Sequence, residues 1–136
     1  MKQCATCQVV HPLFKFHSSG KGFRADCKDC RAKKDRRDKL RRHYNITPEQ
    51  YDAMLESQHG VCRICKQSEI LVDKNGVVMS LAVDHDHSCC PGPTTCGECI
   101  RGLLCYRCNI ALGMLEDDVT LLLRSIMYLR GSLDGN

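Results

Sequence analysis

Leu81-Ala82-Val83-Asp84-His85-Asp86-His87 is the stretch on which the reading of this chain turns. An apolar, strand-like run leads straight into alternating carboxylates and imidazoles. Four such groups in a row cost too much to bury as ordinary core. They do offer oxygen ligands for a hard divalent ion and imidazoles that titrate near working pH. Cys62-x-x-Cys65 precedes the stretch and Cys105-x-x-Cys108-Asn109 follows it. These four thiols suit a closed, tetrahedral, structural zinc site. Closing that site pulls the turn holding Asn109 towards the hairpin that begins at Asp84 and His85. An acid, an imidazole and an amide oxygen then converge from distant parts of the chain. On a regular strand Asp84 and His85 would face opposite ways, so a loop or bulge is expected between them.

That set suits phosphodiester hydrolysis. Asp84 and Asn109 are expected to hold catalytic Mg²⁺ or Mn²⁺, and His85 to take the proton of an attacking water. Asp86 has no role beyond orienting a neighbour. The rival readings are an exposed polar turn, or a further structural zinc held by the same residues.

The composition agrees with a small, stapled protein. In 136 residues there are three Phe, four Tyr and no Trp, but twelve Cys. Cores built from so few large side chains are thin, and units of this size lean on metals or disulfides. No apolar run approaches the ~18–20 residues of a membrane-spanning helix. Met1-Lys2-Gln3-Cys4 does not resemble the start of a signal peptide. A reducing cytoplasm is therefore expected, where paired cysteines bind metal rather than form disulfides. The net charge is only +4, yet nine Lys/Arg and three Asp fall between Lys28 and Arg42. That asymmetry points to a polyanionic partner for one segment.

Cys4-x-x-Cys7 and Cys27-x-x-Cys30 form another pair of knuckles. They read as a Cys4 zinc site closing a short, treble-clef-like loop around Leu13, Phe14, Phe16 and Phe23, with His11 and His17 as loop residues. From Asp29 to Tyr44, without Gly or Pro, a helix with almost no apolar face is predicted. It is either a solvated charged linker or a helix that tracks phosphates. On the second reading Arg31, Lys33, Lys34, Arg36, Arg37, Arg41 and Arg42 are its DNA contacts. The chain divides into residues 1–44, the zinc module and basic helix, and 45–136, the catalytic unit.

Thr47-Pro48-Glu49-Gln50 predicts a capped helix start, with Tyr51, Met54 and Leu55 on one stripe and Gly60 as its C-cap. Asp73-Lys74-Asn75-Gly76 reads as a hairpin turn leading into an extended run from Val77. Ile100–Leu104 reads as a second strand and Ile110–Leu115 as a helix. Glu116-Asp117-Asp118 reads as the acidic start of a last helix, running from Glu116 to Arg130. Its stripe of Val119, Leu122, Leu123, Ile126 and Met127 is expected to cover the small core, with a dimer seam as the other option.

Val83-Asp84-His85-Asp86-His87 and Arg101-Gly102-Leu103-Leu104-Cys105-x-x-Cys108-Asn109, with Cys62-x-x-Cys65 ahead of them, carry a resemblance. Over roughly residues 45–117 the chain resembles the phage recombination endonuclease VII family of His-Me finger (HNH, ββα-metal) nucleases. With the N-terminal Cys4 module and flanking helices, this implies a small α+β protein on a zinc-stapled ββα-metal core. The resemblance implies a DNA endonuclease, in which Asp84 and Asn109 bind the catalytic ion and His85 is the general base. It further implies structural zinc on Cys62, Cys65, Cys105 and Cys108, and a supporting role for His87 at the scissile phosphate. Arg101 is then a phosphate contact, and Gly102 allows a close backbone approach. The expected location is the cytoplasm of a phage-infected or prophage-bearing host.

Three features depart from that family: the N-terminal module with its basic helix, the missing long C-terminal dimerisation segment, and the loop Cys89 to Cys99. Holliday-junction specificity and dimerisation are therefore not carried over. Within the loop, Cys90, Cys96 and Cys99 could hold a third zinc, completed by Cys89 or His87. Adjacent Cys89 and Cys90 are awkward as joint ligands, and disulfides are the alternative. If His87 went to that metal, it would leave the phosphate. DNA is the expected partner, a phage terminase a further one, and the protein a monomer or homodimer. The rival function is a non-catalytic zinc-finger DNA-binding or adaptor protein, which has no need of Asp84, His85 and Asn109.

Overall fold

In the computed structural model, which describes residues 1–131, the N-terminal unit starts with a minimal hairpin. β1 (Lys2–Gln3) pairs antiparallel with β2 (Val10–His11), and Cys4 and Cys7 lie in the turn between them. A second hairpin follows, β3 (Phe16–Ser19) against β4 (Gly22–Cys27). His11 and His17 thus belong to strands rather than loops. Cys27 ends β4 and is the N-cap of α1 (Lys28–Tyr44), which puts Cys30 in the first helical turn. The sulfurs of Cys4, Cys7, Cys27 and Cys30 lie within 4.8 Å of one another. The buried core of this unit is Cys4, Phe16 and Cys27. So little apolar burial does not hold a fold by itself, and the four sulfurs are placed to hold a metal whose binding would supply the missing stability.

α1 owes its 17 residues to propensity rather than packing, and Leu40 is its buried residue. Leu40 does not join the N-terminal core. It packs with Ile46, Tyr51, Leu81, Val83, Leu103 and Leu104 in the second core. The basic helix therefore has an apolar foot in its last turns, where a helix with no buried face was expected. Asn45 stops the helix in the left-handed region at φ 52°, its N–H bonded to the Arg41 carbonyl.

α2 (Pro48–Ser57) starts with the expected capping box: the Gln50 N–H donates to Thr47 Oγ1, and the Thr47 N–H donates to Gln50 Oε1 at 2.8 Å. Tyr51 is buried and its hydroxyl donates to the Leu81 carbonyl at 2.7 Å, tying α2 to the strand that leads into Asp84. Tyr51→Phe is expected to cost about 0.5–1.5 kcal/mol, read from the shift in urea midpoint. The helix ends at Gln58, ahead of the anticipated Gly60, and Gln58 has its own task. Its amide N–H groups donate to the carbonyls of Val61 and Leu103, and its Oε1 accepts the Leu103 N–H at 2.9 Å. One side chain thereby satisfies backbone groups on the open edge of the strand that holds Leu103 (Ile100–Leu104).

The second unit repeats the grammar of the first. A knuckle with Cys62 and Cys65 is followed by a hairpin, β5 (Ala82–His85) against β6 (Ile100–Leu104), and then by α3 (Tyr106–Met114). Cys105 ends the hairpin and caps α3 as Cys27 caps α1. Their backbone angles are φ −68°, ψ 158° and φ −65°, ψ 160°. Between knuckle and hairpin, Asp73 to Gly76 forms the expected turn, but only Val72 and Val78 bridge across it. Val77, Val78 and Met79 are exposed and the strand proper begins at Ala82.

Two expectations for the C-terminus are corrected. Glu116 and Asp117 are not helical but sit in a turn at φ 55° and 53°, and α4 (Val119–Leu129) starts three residues later than expected, with Asp118 as N-cap. Nor does the stripe of α4 cover the core: none of its residues is buried, and Leu123, Ile126 and Met127 are exposed. The core is closed instead by α1, α2 and the hairpin, whose side chains reach it at shorter range. Among the described residues no helix is long and apolar enough to cross a membrane.

Candidate active site

The expected bulge lies between Asp84 and His85. Asp84 pairs with Gly102, but His85 pairs with Ile100, so Arg101 is the extra residue on β6. A bulge of this kind re-aims side chains, and here Asp84 and His85 both face one cleft of about 440 Å³. Asn109, from the first turns of α3, lines the same cleft with His87, Asp117, Tyr44, Gly92 and Pro93. Convergence of the acid, imidazole and amide thus needs both the hairpin bulge and the Cys105 helix start.

Asp84 and His85 are 7% and 5% exposed, unusual burial for a charged group and an imidazole unless each is paired. Each is. Arg101 donates from Nε and Nη2 to the two Asp84 oxygens at 2.7 and 2.9 Å. His85 Nε2 lies 3.0 Å from the Cys90 carbonyl oxygen. A carbonyl only accepts, so Nε2 carries the proton and Nδ1 of the neutral ring keeps its lone pair.

Asp117 is the residue that sequence reasoning missed. It accepts from His87 Nδ1 at 2.5 Å and from Arg101 Nη2 at 3.3 Å. Asp84, Arg101, Asp117 and His87 therefore form one hydrogen-bonded chain along the cleft. The His87 hydrogen bond, with Arg101 beside it, holds the Asp117 carboxyl below its ordinary range. Asp117 reaches the site because it occupies a left-handed turn, which Asp tolerates better than most residues. Read as part of a helix start, it gave no such signal. Asp86 also has a definite place. Its carboxylate accepts from the Ser88 hydroxyl and N–H, and its carbonyl accepts from Cys89 and Cys90 N–H, turning the chain into the cysteine loop.

Gly102 sits where the bulge meets the loop below it, at φ 154°. A Cβ there would lie 2.6 Å from Arg63 Cδ and 3.0 Å from Gln58 Oε1. Gly102→Ala is expected to destabilise the protein by about 1–3 kcal/mol, seen as a lowered thermal midpoint.

Twelve cysteines form three tetrads among the described residues. Besides the N-terminal one, the sulfurs of Cys62, Cys65, Cys105 and Cys108 converge within 4.8 Å, and so do those of Cys89, Cys90, Cys96 and Cys99. Adjacent Cys89 and Cys90 therefore do share a cluster, and His87 is not its fourth member. Turn N–H groups prepare thiolates: those of Cys27 and Cys7 bring the Cys4 thiol down to about 6. At Cys62 burial opposes ionisation, but the N–H groups of Cys105, Cys65 and Ile64 outweigh it and the thiol falls to about 6. Those of Glu98 and Cys99 do the same for Cys96, again to about 6. In each tetrad a thiol is pushed the other way, to about 12: Cys30 and Cys89 by hydrogen bonds to neighbouring sulfurs, and Cys108 first by burial; Cys90 is raised as well. Four sulfurs this close repel a second negative charge, and a bound cation removes that conflict. Soft thiolates in a closed tetrahedral set fit zinc.

The seven α1 residues expected to contact DNA divide into two groups. Arg31, Arg36 and Arg37 pair with Asp35, Asp52 and Asp38. Lys33, Lys34, Arg41 and Arg42 are exposed, with no acidic partner within 4.0 Å among the described residues. Tyr44, at the end of the same helix, lines the cleft.

The profile of the recombination endonuclease VII family matches residues 37–131. The Gene 59 protein of Mycobacterium phage D29 is 41% identical over 88 residues, which is 64% of this chain and 45% of that protein. The Gene 59 protein of Mycobacterium phage L5 is 37% identical over 87 residues, 63% of this chain and 44% of that one. The chain spans less than half the length of these curated relatives. Among solved structures, the ββα-Me type II restriction endonuclease Hpy99I aligns with 96% of this chain and 65% of its own. The TM-score is 0.39 and the identity 25%.

Proposed function

Since the chain belongs to the recombination endonuclease VII family, we propose that it is a divalent-metal-dependent DNA endonuclease that hydrolyses phosphodiester bonds. One observation carries this reading. Asp84, His85 and Asn109 line a single cleft while His85 Nε2 is committed to a carbonyl, so Nδ1 is the open proton acceptor. His85 is the general base that takes the proton of the attacking water at Nδ1.

Asp84 and Asn109 are the residues to hold Mg²⁺ or Mn²⁺, and their oxygen donors suit a hard ion. Such an ion, when bound, offsets the negative charge that builds on the phosphate and the leaving oxygen. The fit is supported by Asp84 itself, a buried carboxylate that already draws a cationic group onto both oxygens. A carboxylate has lone pairs for more than one partner. When Arg101 gives up part of its hold on Asp84, its guanidinium faces a DNA phosphate. His87, oriented by Asp117, supports the same phosphate.

Lys33, Lys34, Arg41 and Arg42 carry the chain along the DNA backbone, with Arg31, Arg36 and Arg37 closer to structural pairing. Binding through them weakens as salt rises, because each neutralised phosphate releases counterions. Residues 1–44 act as a DNA-tracking unit and 45–136 as the cutting unit, with the foot of α1 planted in the second core.

Supercoiled plasmid with Mg²⁺ or Mn²⁺ tests the reading. Wild type is expected to nick or linearise it, and His85→Ala to leave it intact. No cutting by wild type, or equal cutting by both, would refute the assignment.

A further inference from the structure

The third tetrad differs from the other two in what surrounds it. Cys4 and Cys27, and Cys62 and Cys105, are buried parts of the two cores. Cys89 and Cys96 are exposed, and in the loop from Ser88 to Cys99 only Thr95 is buried. No core depends on this cluster, yet the loop touches the site at several points. The Cys90 carbonyl receives His85 Nε2–H. Gly92 and Pro93 form part of the cleft wall. The Asp86 N–H, next to His85, donates to the Cys99 carbonyl at 3.0 Å.

The same loop also clasps the end of the basic helix. The Thr95 N–H donates to the His43 carbonyl at 2.9 Å and Asn45 Nδ2 to the Cys96 carbonyl at 2.8 Å. At Gly97 a Cβ would lie 2.9 Å from the Asn45 carbonyl oxygen, so the approach is tight.

We propose that Cys89, Cys90, Cys96 and Cys99 bind a zinc-class ion whose task is to position His85, through the Cys90 carbonyl, rather than to hold the fold. Cys90 is a positioning residue. With its sulfur fixed, its carbonyl stays in place to receive Nε2–H, and Nδ1 stays aimed into the cleft. Without the ion the loop relaxes, and His85 samples both tautomers and more than one ring orientation. This rests on reading His85 as the general base.

The test compares the full-length wild type with Cys96→Ser and Cys89→Ser. Native mass spectrometry of the zinc-loaded wild type is expected to show three ions per chain, and each variant two, with the far-UV helical signal unchanged. Long-range ¹⁵N NMR of the neutral His85 ring is expected to show the Nε2–H tautomer in wild type and averaged nitrogen shifts in the variants. On plasmid with Mg²⁺, kcat is expected to fall ~10²-fold, as for a misplaced catalytic group, with KM for DNA within about twofold. Two ions in wild type, or variants with the wild-type tautomer and kcat, would overturn the proposal. So would loss of the helical signal in both variants, since the cluster would then hold the fold. If wild type cuts nothing, the nuclease reading fails on its own, while ion count and tautomer still decide whether the clip orients His85.

Discussion

His85→Ala is expected to lower the rate of the proposed metal-dependent cleavage by about 10²–10⁴, the range for removing a positioned general base. The effect is expected on kcat, because the proposed base acts on the attacking water and not on the DNA backbone. The ring is buried beside Val83 and Asp84 in a short strand, so truncation also leaves a small void. Thermal unfolding in parallel separates the two: a midpoint lowered by a few degrees with the rate lost by orders of magnitude identifies chemistry. Single-turnover cleavage with saturating protein is the measurement. DNA binding in the absence of metal should be unchanged, since the proposal assigns it to the exposed cations of α1 and not to His85. A variant that binds and cuts like wild type would remove His85 from the mechanism.

Cys105→Ser has the second large effect, and it falls on the fold. Cys105 is 2% exposed, belongs to the second core, ends β6 and caps α3. Losing one thiolate from this tetrad loses the ion, and apparent free energies for structural zinc are about 10–16 kcal/mol. A domain of this size has total stability of about 5–15 kcal/mol, so the second unit is expected to unfold outright. Loss of dispersed amide signals for residues of β5, β6 and α3 checks this. The N-terminal tetrad has its own hairpins and its own small core. Its signals should persist in the same spectrum, apart from the end of α1, where Leu40 loses its partners. Survival of the β5–β6 signals in a protein that has lost the ion would show that apolar burial suffices there.

The contrast between these predictions follows from where each cysteine sits. Leu103 and Cys62 are fully buried at the centre of the second core. Cys89 and Cys96 have solvent on one side. On the proposed reading the same ligand chemistry serves as a core substitute in two places and as a clip on an active-site loop in the third.

Much of the site was legible along the chain. Asp84 after an apolar run, His85 beside it and Asn109 after a CxxC are local patterns. Two CxxC knuckles on either side of a hairpin leave few ways of closing. The bulge could be anticipated because adjacent strand residues cannot otherwise share a face. The capping box of Thr47 and Gln50 depends only on residues three apart, and it formed as expected.

What could not be read locally depends on distance in three dimensions. Asp117 joins His87 and Arg101 only because the turn after α3 folds back to the hairpin, and nothing in Glu116-Asp117-Asp118 marks that turn as left-handed. Arg101 reads as a phosphate contact from its motif. In the folded chain it is bonded to both oxygens of Asp84, because the bulge leaves it unpaired on β6 and aimed at the acid. The stripe of α4 has the period of a core-covering helix, but periodicity specifies a face and not what that face meets.

By itself the sequence determined the ligand types, the grouping of eight cysteines into two sets of CxxC knuckles and the three residues of the proposed chemistry. Each follows from short-range spacing, since turn geometry and strand alternation act over a few residues. Only the tertiary structure decided the membership of the third tetrad, the partner of His87 and the tautomer of His85. Those depend on loop closure between Asp84 and Gly102, where a carbonyl, a carboxylate or a sulfur wins its partner by proximity alone.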